Sequence, residues 1–267
     1  MITTVTLNPV IEQTQDFKFC TGFQTDYLSL LAKANGLNSA RIAAILGERF
    51  KHDPLSNIDI ISDKNTPFSN KEIYSFVKEY IRLLKHSEII IASGSLPSGL
   101  PKTFYGDMVK IARDNNVRVI INVTDDYLEE AVKARPFMIK ISVEKLQALM
   151  GYDLNNEYKI IYEARCICKQ GIEVVAISLG KEGAIFTTKE GTYRVYAPKV
   201  NVDLCEGYED AFLAGFAVEF FRKAKLENAF KYAVAAGTAV VIEDKIGDID
   251  VTLVDRIFHG IKIKKRD

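Results

Sequence analysis

Net charge, paired cysteines, clustered histidines and long apolar runs are all missing from this chain, and each absence removes a class of function. Lys and Arg together number 35, as do Asp and Glu. No basic field therefore draws in nucleic acid or an anionic membrane surface. The tail Lys262-Ile263-Lys264-Lys265-Arg266 is locally basic, and a solvated, frayed end is expected there. No apolar run approaches the length of a membrane span, and no signal peptide precedes the first expected strand, so a cytoplasmic protein is expected. The four cysteines, Cys20, Cys166, Cys168 and Cys205, lack zinc or disulfide spacing and read as packing residues in a reducing compartment. His52, His86 and His259 stand apart from one another and suggest no metal site. There is no Pro/Gly/Ser-rich linker, repeat or low-complexity tract. The 267 residues read as a single α/β domain over 1–267, long enough to bury a full core.

What is present is alternation of strands and helices. Positions 2–7 are rich in β-branched residues and stop at Asn8-Pro9, which predicts an opening strand. Positions 38–46 carry helical periodicity and end at Gly47. Ser69 and Glu72 form a capping box ahead of a helix over 71–85. A short apolar strand is expected over 88–92, and Pro101 suits the first turn of a helix running to Asp114. Positions 117–123, 137–141 and 174–178 are continuous apolar runs. Such runs are buried on both faces, which predicts a mostly parallel sheet with helices on either side. Lys189-Glu190-Gly191 between two further strands is a hairpin signal, and the chain beyond Asp210 is expected to be nearly all helix.

Ligands of an open α/β sheet sit outside the carboxyl ends of its strands. The most informative segment is Glu206-Gly207-Tyr208-Glu209-Asp210, which opens an apolar helix carrying Phe212, Phe216 and Phe220. Unpaired N–H groups and the macrodipole make such a helix start attractive to phosphate. Asp210 in its first turn either takes a proton from an attacking hydroxyl or complements the dipole as a cap. Tyr208 and Glu209 crowd the same turn with a ring and a second negative charge, and Tyr208 reads as a plug over the anion site. Further candidates are Ser93-Gly94-Ser95-Leu96-Pro97-Ser98-Gly99, and Ser178-Leu179-Gly180 with Glu182-Gly183. The glycines of the second let a nucleotide approach bare backbone or simply make turns.

In this order the motifs resemble those of the ribokinase-like carbohydrate kinases, in the phosphofructokinase B branch that includes the 1-phosphofructokinase and tagatose-6-phosphate kinase group. Thr6-Leu7-Asn8-Pro9-Val10-Ile11-Glu12 is similar to the branch's opening motif, with Glu12 where an aspartate binds sugar hydroxyls. The Ser93–Gly99 and Ser178–Ala184 motifs match without change, and Gly207 to Asp210 stands where the family has Gly-Ala-Gly-Asp. The resemblance implies a ribokinase-like fold, ATP and Mg²⁺ as cofactors, a sugar or sugar phosphate as substrate, and a homodimer. It implies Gly207 and Asp210 as the anion hole and base, and Ser178, Gly180 and Gly183 on the nucleotide. Glu12, Gly36, Asn38 and Ser95 are implied on the sugar, although Asn38 serves equally as a helix N-cap and Glu12 as a strand end.

The departures fall where the chemistry lies. Lys33-Ala34-Asn35-Gly36-Leu37-Asn38 replaces a Gly-Gly-Lys-Gly-Ile-Asn stretch. Lys140-Ile141-Ser142-Val143-Glu144-Lys145 replaces a Lys-Pro-Asn stretch, with Ser142 and Lys145 for the Asn and Glu that help place Mg²⁺. Lys140 itself reads as a strand-end surface charge, and Asn122 stands where an aspartate is expected. Positions 47–71 are too short for the family's substrate lid, whose closure excludes water. Two functions from different classes are therefore expected: an ATP-dependent sugar or sugar-phosphate kinase of much reduced or lost activity, or a non-catalytic nucleotide- or metabolite-binding pseudokinase serving as a sensor or partner subunit. A structural scaffold with closed pockets is the weaker third.

Overall fold

The computed structural model describes residues 1–6, 42, 56–59, 69–96, 99–123, 125–201, 207–243 and 249–266. Its strands are β1 (Ile2–Thr6), β2 (Ser56–Asp59), β3 (Ile89–Gly94), β4 (Arg118–Val123), β5 (Met138–Ser142), β6 (Val174–Ser178), β7 (Gly183–Thr188), β8 (Gly191–Tyr196) and β9 (Lys262–Arg266). They form one sheet in the order β2-β1-β3-β4-β5-β6-β7-β8-β9. Pairing is parallel from β2 through β6 and antiparallel from β6 to β9. This is the mostly parallel sheet that the apolar runs call for. Of the segment 47–71, in which no lid is expected, the described strand β2 extends the main sheet beside β1.

The described helices are α1 (Asn70–Leu84), α2 (Phe104–Asp114), α3 (Asp125–Lys133), α4 (Val143–Met150), α5 (Glu157–Cys168), α6 (Tyr208–Phe221), α7 (Leu226–Glu243) and α8 (Val251–Gly260). Alternate strand residues feed two cores. Ile139, Ile141, Val175 and Ile177 pack with Phe76, Tyr105 and Ile160, whereas Met138, Val174 and Ala176 pack with Phe212, Phe216 and Phe230. Helices thus cover both faces, and α6 and α7 belong to the second. The period of two explains why neighbouring residues on one strand serve opposite cores.

The basic tail is not a frayed end. As β9 it pairs with β8 from Thr192↔Arg266 to Tyr196↔Lys262. Arg266 donates to the Tyr196 hydroxyl at 2.8 Å, and Arg165 donates to the Arg266 carbonyl at 2.9 Å. Strand formation here rests on backbone pairing rather than apolar side chains. Lysines on the last strand of a sheet also discourage further edge pairing.

Helices α6 and α7 are pressed close together. A Cβ on Gly215 would lie 2.8 Å from the Ala236 Cβ and 2.9 Å from the Tyr232 carbonyl oxygen. Around them Phe230 stacks on Phe186 at 4.2 Å between centroids and meets Tyr193 at 5.6 Å and Phe216 at 6.2 Å. Phe230→Ala removes the ring at this junction, and a cost of about 3–5 kcal/mol is expected. Urea denaturation should show it as a lower midpoint with an unchanged slope; a loss below about 1 kcal/mol would mean that the junction closes over the gap.

Candidate active site

The site is built where β5 and β6 end beneath the first turn of α6. Lys140 lies two residues beyond Met138, on the side of the sheet facing α6, with Ser178 on the same side of the adjacent strand. The Lys140 side chain is 1% exposed. The expectation of a surface charge is therefore wrong. Strand alternation directs this lysine under α6 instead of outward. Burial pulls its ammonium down to about 7, helped by the charge of Lys145, while Asp210 and Glu144 pull it back up.

Helix α6 starts at Gly207, whose φ of 95° is the left-handed region that glycine adopts freely. No side chain caps this end, so an N-terminal carboxylate or anion is electrostatically favoured there. Two carboxylates of the chain itself supply that charge. Glu209 Oε2 pairs with the Lys140 ammonium, and Ser178 Oγ donates to Glu209 Oε1 at 3.5 Å. Asp210 is 5% exposed in the same turn, close enough to Lys140 to favour its charged form. The Glu209 side chain remains 43% exposed, so it reaches in from the solvent side and has room to swing away.

Tyr208 is 4% exposed and lies across α7. A Cβ on Gly237 would meet the ring at 2.7 Å, so the glycine on α7 makes the seat for the tyrosine on α6. Its hydroxyl is buried with no hydrogen-bond partner. A small recess opens there, lined by Gly180, Lys181, Ala197, Val200, Tyr208, Thr238 and Val241. Gly180 lines it with φ 58° at the start of a short 3₁₀ turn. Gly183 has a different reason to be glycine. A Cβ there would lie 2.2 Å from the Val195 carbonyl oxygen and 2.7 Å from the Ala197 nitrogen, so the close approach of β8 requires it.

Ser95 follows β3 and is half-buried. The turn before it is held by Tyr105, whose hydroxyl donates to the carbonyls of Ser93 and Gly94 at 3.1 Å each. Gly94 has φ 97° with nothing within 4 Å of a notional Cβ, so conformation, not crowding, calls for glycine. Ser142 caps α4 by accepting from the Lys145 N–H at 3.3 Å, and Lys145 Nζ donates to the Val123 carbonyl at 3.4 Å. The buried Asn122 Oδ1 has no hydrogen-bond partner. Glu12, Gly36 and Asn38 lie outside the described residues. The structure thus brings Gly207, Asp210 and Ser178 together around Lys140 and Glu209, with Gly180 at the adjoining cavity. Sequence reasoning missed Lys140 as a buried group, and Gly237 altogether; the continuous apolar run on either side of the lysine, buried along β5 through Ile141, was the available signal.

Comparison with known proteins agrees with this architecture. Residues 64–248 match the model of the pfkB family carbohydrate kinases. The 1-phosphofructokinase of Borreliella burgdorferi is 27% identical over 236 residues, which is 85% of this chain and 75% of that one. A tagatose-6-phosphate kinase of Staphylococcus epidermidis is 26% identical over 310 aligned residues, covering 98% and 99% of the two chains. Among solved structures, phosphofructokinase-2 of Escherichia coli superposes with a TM-score of 0.77 at 19% identity, over 97% of this chain and 98% of that one. With a ribokinase-like sheet, a cavity beside Gly180 and a buried aspartate at the amino end of α6, this chain belongs to the pfkB family of carbohydrate kinases.

Proposed function

We propose that this chain is a nucleotide-binding pfkB protein in which ATP-dependent phosphorylation of a sugar phosphate is strongly suppressed. One observation carries the reading: the Glu209 carboxylate sits on Lys140 at the uncapped start of α6. In a kinase that helix end serves the transferring phosphoryl group, and catalysis there is positioning and charge neutralisation. A carboxylate already on the buried cation takes up the neutralising charge and opposes an incoming phosphate. The sugar-phosphate chemistry follows from the relatives' own activities as 1-phosphofructokinase and tagatose-6-phosphate kinase. Asp210 is assigned the proton transfer from the substrate hydroxyl. Gly207 gives the turn that exposes the amides, and sugar binding is assigned to Ser95 together with Glu12, Gly36 and Asn38.

The nucleoside part of ATP is assigned to the side of Gly180, where a small recess lies beside Tyr208. Mg²⁺ fits poorly. The positions that would help place it carry Ser142, spent as a helix cap, and Lys145, a cation near Lys140. Among the described residues no group of three His, Cys, Asp or Glu side chains is arranged to hold a metal ion. That mismatch agrees with suppressed transfer.

The test is ATP-dependent phosphorylation of a panel of hexose phosphates. Turnover is expected at least ~10²-fold below the ~1–100 s⁻¹ usual for kinases, and Asp210→Asn should remove what remains. A kcat within the usual range overturns the suppression. Residual turnover unaffected by Asp210→Asn overturns the assigned base.

A further inference from the structure

Resting on that nucleotide-binding reading, we propose that the site selects a nucleoside diphosphate over the triphosphate, with Glu209 supplying the terminal anion that ATP would otherwise bring. The groups that would greet a third phosphate are already matched. The Lys140 ammonium holds Glu209 Oε2, and the Ser178 hydroxyl reaches Glu209 Oε1. Asp210 and Glu144 add negative charge around the same lysine, and Lys145 is the positive group set against them. A terminal phosphoryl group entering here meets a carboxylate on its own binding partner, and to displace it the ligand must break an ion pair whose lysine is fully buried.

The neighbouring cavity is open where the phosphoryl position is filled. Tyr208, whose buried hydroxyl has no hydrogen-bond partner, lines it. Thr238, also in the lining, donates its hydroxyl hydrogen to the Val234 carbonyl at 2.7 Å. A buried phenol without a partner is costly unless a ligand atom meets it. A nucleotide bound beside this recess would run its phosphates toward α6 and stop short of Glu209. Both substitutions in the Gly207–Asp210 turn then have a role: Tyr208 walls the nucleoside end and Glu209 closes the phosphate end.

The experiment is calorimetric titration of the full chain with ADP, ATP and adenosine, with and without Mg²⁺, repeated on Glu209→Gln. Wild type is expected to bind ADP at least tenfold more tightly than ATP, and Glu209→Gln is expected to bring the two within about threefold by strengthening ATP. ATP binding as tightly as ADP in wild type overturns the selectivity and leaves nucleotide binding standing. An ADP preference unchanged in a folded Glu209→Gln variant overturns the role of Glu209. Absence of any nucleotide binding takes away the underlying reading as well. If Glu209→Gln does not fold, the wild-type ratio still decides.

Discussion

Tyr208→Ala combined with Glu209→Gly is expected to raise ATP-dependent turnover of a hexose phosphate by about 10²–10³-fold over the wild type. The substitutions restore a small, uncharged turn between Gly207 and Asp210. They free the Lys140 ammonium from its internal partner and reopen the amide-lined start of α6. The expected gain matches what one anion-stabilising donor contributes to an acyl- or phosphoryl-type transition state, because both the donor and its charge balance are recovered together. Asp210→Asn in the same background should erase the gain, since the reopened site still needs its base. The double variant gives up stability. Tyr208 is seated on Gly237 and packs at 6.2 Å from Phe212, so a cost of about 3 kcal/mol is expected by analogy with other large-to-small core changes. Against a typical margin of about 5–15 kcal/mol the variant remains folded, and thermal denaturation should be measured alongside turnover. Unchanged turnover in a folded variant would place the suppression elsewhere, in the sugar-side loops.

The parallel sheet was legible because burial on both faces leaves an unmistakable pattern. Strands β3 to β6 appear within two residues of the apolar runs that announce them. Local chemistry was legible too. The capping box forms as spelled, with the Ser69 N–H donating to Glu72 Oε2 at 2.8 Å and the Glu72 N–H donating to Ser69 Oγ at 3.3 Å. Around Pro101 the helix begins later than expected, at Phe104 with Thr103 as N-cap. What failed were features whose cause lies far along the chain. β9 is polar by composition and becomes a strand only because β8 offers a free edge. The partner of Lys140, Glu209, comes 69 positions later, and no window around residue 140 contains that pairing. Gly183 matched a nucleotide motif, yet the backbone of β8 accounts for it without a ligand. Tyr208 was expected to plug the anion site; its ring is instead seated on Gly237 of α7, through helix packing that the sequence does not display.

Lys140→Met is expected to change the pH dependence of stability more than any surface substitution. In the folded protein the ammonium is pulled down to about 7 from the ordinary lysine value of 10.5, chiefly by burial. Between those values the unfolded chain holds a proton that the folded chain has released, so wild-type stability rises with pH across this window. Below about 7 the penalty is fully present; above 10.5 it is gone. One proton sets a ceiling of about 1.4 kcal/mol per pH unit. The Met1 amino group, lowered mainly by burial, has the same sign of effect below 8.0, and it is common to both proteins. The buried phenols of Tyr80, Tyr105 and Tyr208 are raised by burial. They therefore act with the opposite sign and only above about 10. Subtracting the Lys140→Met curve from the wild-type curve between pH 7 and 9 isolates the lysine. The variant, which fills the same space without a charge, should be the more stable at pH 7, and wild type should gain on it by up to about 2–3 kcal/mol by pH 9. A difference that stays flat across this range would show that Glu209, with Asp210 and Glu144 behind it, holds the ammonium charged throughout. In that case the internal ion pair outweighs burial, and a ligand's phosphate would have to compete with Glu209 for a permanent cation instead of summoning one by proton uptake.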